Sequence, residues 1–192
     1  MLKPIPQPGI LEIAPYVPGE SKSSGVNRLI KLAANENPFG CSPAVTKAYI
    51  SLASELHRYP DGASSELRSA LAAHHNIDAT RIVCGTGSDE IIALLCKAFA
   101  GQGDEILYSQ HGFLMYPIAA LACGATPVQA PEAKRETDPD ALLKCVTDKT
   151  KIVFLANPNN PTGFMLKRNE VLAFRKQLRE NILLVIDSAY AE

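Results

Sequence analysis

The spacing of apolar and polar residues divides the chain into two territories. Residues 1–40 are weakly periodic and rich in Pro, Gly and Asn, which predicts an extended arm with one short strand around Arg28 to Leu32. From residue 41 the pattern tightens. Ser42 supplies a cap and Pro43 a first helical position, predicting a helix from Pro43 to about Glu55. Arg58-Tyr59-Pro60-Asp61-Gly62 breaks the chain, and Ser65 to His75 reads as a second helix. Beyond it, short β-rich runs fall at Arg81–Cys84, Glu105–Tyr108, Thr126–Gln129, Lys151–Ala156 and Ile182–Asp187. Helix-like stretches at Asp89–Ala100, Phe113–Ala122, Pro139–Val146 and Lys167–Arg179 lie between them. The strands are short and nearly all apolar, the pattern of strands covered on both faces. Strict alternation of this kind predicts an α/β fold, a mostly parallel sheet flanked by helices. The chain stops at Glu192, just past an apolar run, so 41–192 reads as an incomplete large domain behind the 1–40 arm.

Composition narrows the functional classes. The 19 basic and 20 acidic residues nearly cancel, leaving no positive excess to hold a phosphate backbone; nucleic acid is not an expected partner. The longest apolar stretch, Ile91 to Ala100, contains Lys97 and falls well short of the roughly 20 residues of a membrane span. The proline-broken N-terminus lacks the apolar core of a signal peptide. Five cysteines form no CxxC pair, and the four histidines complete no metal-ligand spacing. Free thiols, no metal and a cytoplasmic location are expected.

In a parallel sheet, ligands collect beyond the carboxyl ends of the strands. Four segments there carry candidate chemistry. Gly85-Thr86-Gly87-Ser88-Asp89-Glu90 opens a helix with small residues and free N–H groups, as a phosphate cradle needs; a plain N-cap, with Asp89 and Glu90 answering the helix dipole, is the alternative. Phe113 follows a strand and can stack on a planar cofactor, or simply pack in the core. Asn157-Pro158-Asn159-Asn160-Pro161-Thr162-Gly163 holds three asparagines in one loop; a structural turn explains the prolines better than it explains the amides. Asp187 ends the apolar run Ile182 to Ile186, where a buried carboxylate needs a partner. A protonated pyridine nitrogen is one such partner; a solvated strand end is the alternative. Tyr190 follows close enough to reach the same ring.

These segments resemble the fold-type I, class I/II aminotransferases, in the loop at 157–163, in Asp187-Ser188-Ala189-Tyr190 and in Gly87-Ser88-Asp89-Glu90-Ile91-Ile92. Pro15 to Gly19, Ala34 to Pro38, Arg58 to Asp61 and Gly87 to Glu90 resemble the histidinol-phosphate aminotransferases within that group. The resemblance covers almost the whole chain, in the family's order. It implies the large domain of a pyridoxal 5'-phosphate enzyme, working as a homodimer with shared active sites. The implied roles are phosphate binding by Ser88 and Asp89, stacking by Phe113, contacts to the phenolic oxygen by Asn160 and Tyr190, and pairing of Asp187 with the ring nitrogen. Tyr59 is expected to reach the phosphate in the neighbouring subunit, and Tyr16 and Asn35 to bind substrate. The implied reaction is amino transfer between histidinol phosphate and 2-oxoglutarate in histidine biosynthesis. An aromatic-amino-acid aminotransferase and a threonine-phosphate decarboxylase are the alternatives within the superfamily. Outside it, the alternative is a non-catalytic module that binds cofactor or dimerises. One family feature is missing: no lysine follows Lys176, so the family's Schiff-base lysine has no counterpart here. Lys149 and Lys151 stand at the wrong end of their strand. The 192 residues alone are therefore expected to be inactive.

Overall fold

The computed structural model describes residues 5–15, 25, 32 and 34–191. The chain divides into two compact units, Pro15–Val83 on one side and Met1–Ala14 with Cys84–Glu192 on the other.

In the first unit, α1 spans Pro43–Ser51, capped as expected by Ser42, whose hydroxyl accepts from the Val45 N–H. The helix is shorter than its pattern suggests: it passes at Leu52 into a 3-10 turn over Ala53–Glu55. Helix α2 occupies the predicted Ser65–His75. The Asp61 carboxylate gathers the N–H groups of Ser65 and Ala63 at 2.7 and 2.9 Å. Those bonds, led by Ser65, hold its carboxyl below the usual carboxylate range. Arg68 then ties α2 to the next turn, donating from Nη2 and Nε to the Ala79 carbonyl at 2.7 and 3.2 Å. The strand expected at Arg81–Cys84 does not form. Residues 79–81 make a 3-10 turn, and although Ile82 is extended at φ −110°, ψ 129°, residues 82–84 pair with no strand among the described residues. The conformation suits a strand; the hydrogen-bonding partner is lacking. The strand expected around Arg28–Leu32 lies, apart from Leu32, outside the described residues.

The second unit is the predicted α/β domain. Helix α3 (Ser88–Phe99) precedes β1 (Glu105–Ser109), followed by α4 (Met115–Ala122), β2 (Thr126–Ala130), α5 (Pro139–Cys145), β3 (Thr150–Ala156), α6 (Arg168–Gln177) and β4 (Leu183–Asp187). All three strand pairings are parallel, in the order β2-β1-β3-β4. The path steps from β1 to β2, then back across β1 to β3, so the direction of winding reverses between β1 and β3. Right-handed crossovers then require α4 on one face and α5 and α6 on the other. The packing agrees. Ile106, Tyr108, Ile152 and Phe154 meet residues of α3 and α4, whereas Leu107, Val153 and Leu155 meet Leu142 of α5 and Phe174 of α6. The reversal matters for function, because a crevice opens outside the carboxyl ends of the strands at such a point. Among the described residues, no helix is long and apolar enough to cross a membrane.

Candidate active site

Three strand ends and one helix start converge at that crevice. Ser88, Phe113, Ala156, Pro158, Asn160, Asp187, Ala189 and Tyr190 line a single cavity of about 70 Å³. Ligand pockets are usually on the order of 300–1,000 Å³, so these residues form the floor of a site in which one end of a ligand can seat. Five of the residues singled out from the sequence, Ser88, Phe113, Asn160, Asp187 and Tyr190, are brought together here.

The loop before α3 is shaped by Gly87, at φ 80° and ψ −177°, a region essentially reserved for glycine. Open space surrounds it, so the restriction comes from the backbone and not from crowding. The side chains of the loop bear on the capping alternative. Glu90 does answer the helix start, accepting from Thr86 N and Oγ1 at 2.6 and 2.9 Å, and the Thr86 N–H holds its carboxyl below the ordinary range. Yet α3 has no side-chain cap hydrogen bond on its N-terminus, and the first N–H groups of a helix have no partner within it. Asp89 is exposed and does not itself line the cavity.

Phe113 also serves two purposes. It is half-buried against the core and meets Tyr116 edge to face, with ring centroids 5.8 Å apart, while it lines the cavity.

The three asparagines of the loop divide their work, which corrects the expectation that a structural turn would account for them poorly. Asn157 exchanges two hydrogen bonds with the backbone of Leu166, at 2.8 and 3.1 Å. Asn159 is buried, and its amide donates to the His111 carbonyl at 3.1 Å and to Thr162 Oγ1 at 2.9 Å. Only Asn160 faces the cavity. Both Asn-Pro bonds of the loop, at 157–158 and 160–161, are cis. A wider opening of about 570 Å³ is lined by His111, Lys134, Arg135 and Pro161 to Phe164, among others, and contains none of the predicted site residues.

Asp187 pairs with Ala156 across β3 and β4 and is half-buried, with both oxygens engaged. Oδ1 accepts from the Ala189 N–H at 3.2 Å, and Oδ2 accepts from the Tyr116 hydroxyl at 2.8 Å. Sequence reasoning missed Tyr116. The available signal was a tyrosine three residues after Phe113, inside the stretch read from the sequence as a helix. It also missed Glu132, whose side chain is buried, with Oε2 2.7 Å from His111 Nδ1 and Oε1 without a hydrogen-bond partner.

Two predicted residues belong to the first unit. Tyr59 is fully exposed, and Asn35 is exposed in the segment before α1. Tyr16 lies outside the described residues.

Known proteins match this chain over nearly its whole length. The pattern of the family described as aminotransferase class I and II fits residues 27–192. The histidinol-phosphate aminotransferase of Paramagnetospirillum magneticum is 57% identical over 192 residues, covering 100% of this chain and 53% of that protein. The enzyme of the same name from Rhodospirillum rubrum is 57% identical over 98% of this chain and 51% of its own length. Among solved structures, histidinol-phosphate aminotransferase from Sinorhizobium meliloti in complex with pyridoxal-5'-phosphate superposes with a TM-score of 0.79 at 31% identity, covering 82% of this chain and 43% of that one. The chain spans about half the length of the curated relatives it matches. With the matched pattern covering residues 27–192, the chain belongs to the class I and II aminotransferases.

Proposed function

We propose that the protein to which this chain belongs is a pyridoxal 5'-phosphate-dependent transaminase acting on histidinol phosphate and 2-oxoglutarate, yielding imidazole-acetol phosphate and L-glutamate. The observation that carries the proposal is Asp187, a half-buried carboxylate facing one cavity with Phe113, Asn160, Tyr190 and Ser88. The residues present fit the cofactor. An uncapped helix start suits its phosphate, a half-buried aromatic ring suits its flat face, and amide and phenol groups suit its phenolic oxygen. A half-buried carboxylate suits a protonated ring nitrogen.

The roles assigned are those the family resemblance implies, and these chemistries are compatible with them. The N–H groups of Ser88 and Asp89 hold the phosphate and fix the position of the ring. Phe113 covers one face and excludes water. Asn160 and Tyr190 orient the phenolic oxygen, and Asp187 retains the proton on the ring nitrogen. When bound, the cofactor supplies an electron-poor ring that stabilises negative charge on the substrate carbon. Tyr59, exposed on its own unit, is assigned to the phosphate in a partner subunit of a homodimer, and Tyr16 and Asn35 to the substrate. Similarity to histidine-biosynthetic enzymes supports this choice of substrate and a cytoplasmic setting.

The test is an assay of the complete gene product, loaded with pyridoxal phosphate, against histidinol phosphate, aromatic amino acids and threonine phosphate. Preference for histidinol phosphate by kcat/KM supports the reading. Preference for either of the others replaces the substrate, and failure to bind pyridoxal phosphate overturns the whole assignment.

A further inference from the structure

Tyr116 has no part in the chemistry described so far, yet it touches two walls of the cavity at once. The residue is fully buried. Its ring stacks flat on Phe154, with centroids 4.6 Å apart and planes within 4°. Tyr108 meets it obliquely from the core side, at 6.0 Å. Its edge contact is with Phe113, and its hydroxyl donates to Asp187 Oδ2 at 2.8 Å. A buried phenol needs an acceptor, and here the acceptor is a carboxylate 71 residues away in sequence.

The arrangement is directional. Phe154 fixes the plane of the phenol, so the hydroxyl has little freedom to leave the carboxylate. Burial, and then the charge of Asp187 beside it, push the ionisation of Tyr116 well above the ordinary range. The hydroxyl therefore remains a donor at any working pH. Ala189 N–H holds the other carboxylate oxygen from the loop side. Between them, the two donors fix the carboxylate plane.

We propose that Tyr116 is a positioning residue that acts through Asp187: it holds the carboxylate, from the buried side, in the orientation that meets the cofactor's ring nitrogen, while its ring edge seats Phe113. The proposal rests on the transaminase reading and adds a residue to its machinery. A tyrosine serving only as core filler would need its ring and not its hydroxyl.

Tyr116→Phe in the complete gene product separates the two, since it keeps every ring contact and removes one donor. Three quantities are measured: the Kd for pyridoxal phosphate by fluorescence, the NMR resonance of the cofactor's ring nitrogen, and the melting point of the apoprotein. The expected result is a Kd raised about tenfold, as for one lost hydrogen bond to a charged group, and a ring-nitrogen resonance moved toward that of unprotonated pyridine. The apoprotein should melt within a few degrees of wild type. A Kd within twofold of wild type with an unmoved resonance overturns the proposal. In an Asp187→Asn background the same substitution should change the Kd no further; a second tenfold loss there would show that the effect does not run through Asp187. If Tyr116→Phe does not fold, a ring-fluorinated tyrosine at position 116 keeps the packing and strengthens the donor. The ring-nitrogen resonance should then move toward pyridinium, and no movement overturns the proposal. Wild-type protein that fails to bind pyridoxal phosphate would sink the transaminase reading and this inference together. Binding with indifference to the hydroxyl sinks only this one.

Discussion

On β3, Ile152, Phe154 and Ala156 face α3 and α4, while Val153 and Leu155 face α5 and α6. The same alternation on β1 sends Ile106 and Tyr108 one way and Leu107 the other. The two faces are built from interleaved residues of the same strands, at a side-chain period of two. They nevertheless differ in kind. The α5/α6 face is almost wholly aliphatic around Phe174. The α3/α4 face contains Tyr108, Tyr116 and Phe154, with Phe113 against it, and these rings run from the middle of the sheet toward its carboxyl end. On β4, Asp187 shares the parity of Leu183 and Val185, which pack on the α3/α4 side. Its side chain therefore emerges on the face that has a phenol to meet it. One face holds the fold together; the other does so and also aims a carboxylate.

That difference can be broken at its end point first. Asp187→Asn keeps the shape and removes the charge, and kcat of the complete gene product should fall roughly 10²–10³-fold, about 3–4 kcal/mol of barrier. A loss of only a few-fold would mean that Asp187 is not the partner of the ring nitrogen. Next come two phenylalanines, each essentially buried, one per face. Phe154→Ala and Phe174→Ala should each destabilise the protein by about 3–5 kcal/mol in urea melts. Only Phe154→Ala should also weaken cofactor binding in the protein that remains folded, because Tyr116 stacks on Phe154. Equal effects of the two substitutions on cofactor Kd would erase the distinction between the faces.

A residue belonging to neither face sharpens the comparison. Tyr59→Phe should weaken cofactor retention by about 1.5–3 kcal/mol, one hydrogen bond to a charged group, without changing the stability of the apoprotein. Unaltered retention would remove Tyr59 from the site. The smallest effect is expected at Asn159, whose amide pins the turn between the faces. Asn159→Ala should cost about 1–2 kcal/mol of stability, measured by thermal melting. A larger loss of kcat than of stability would show that the loop also tunes Asn160.

Much of this was legible from the chain. Five of the predicted site residues share one cavity because each directly follows a strand or opens a helix, and in a parallel sheet those positions all lie at one end. Local rules also placed Ser42 as a cap and Pro43 at a helix start. The failures share a cause. The 81–84 run has the composition of a strand, but a strand exists only where another supplies hydrogen bonds, and pairing is a long-range property. The loop at 157–163 looked over-supplied with amides because its backbone partners at His111 and Leu166 are not neighbours in sequence.

What the sequence determined alone was the alternation of elements and, through it, the end of the sheet at which chemistry gathers, since both follow from periodicity and short-range turn chemistry. Which side chains meet there was decided by the tertiary structure. The strand order β2-β1-β3-β4 places the reversal between β1 and β3, and crossover handedness puts α4 on the face toward which Asp187 points. Only then do Tyr116 and Asp187, 71 residues apart, come within 2.8 Å. No periodicity in the chain encodes that contact, because it depends on the order in which strands pair.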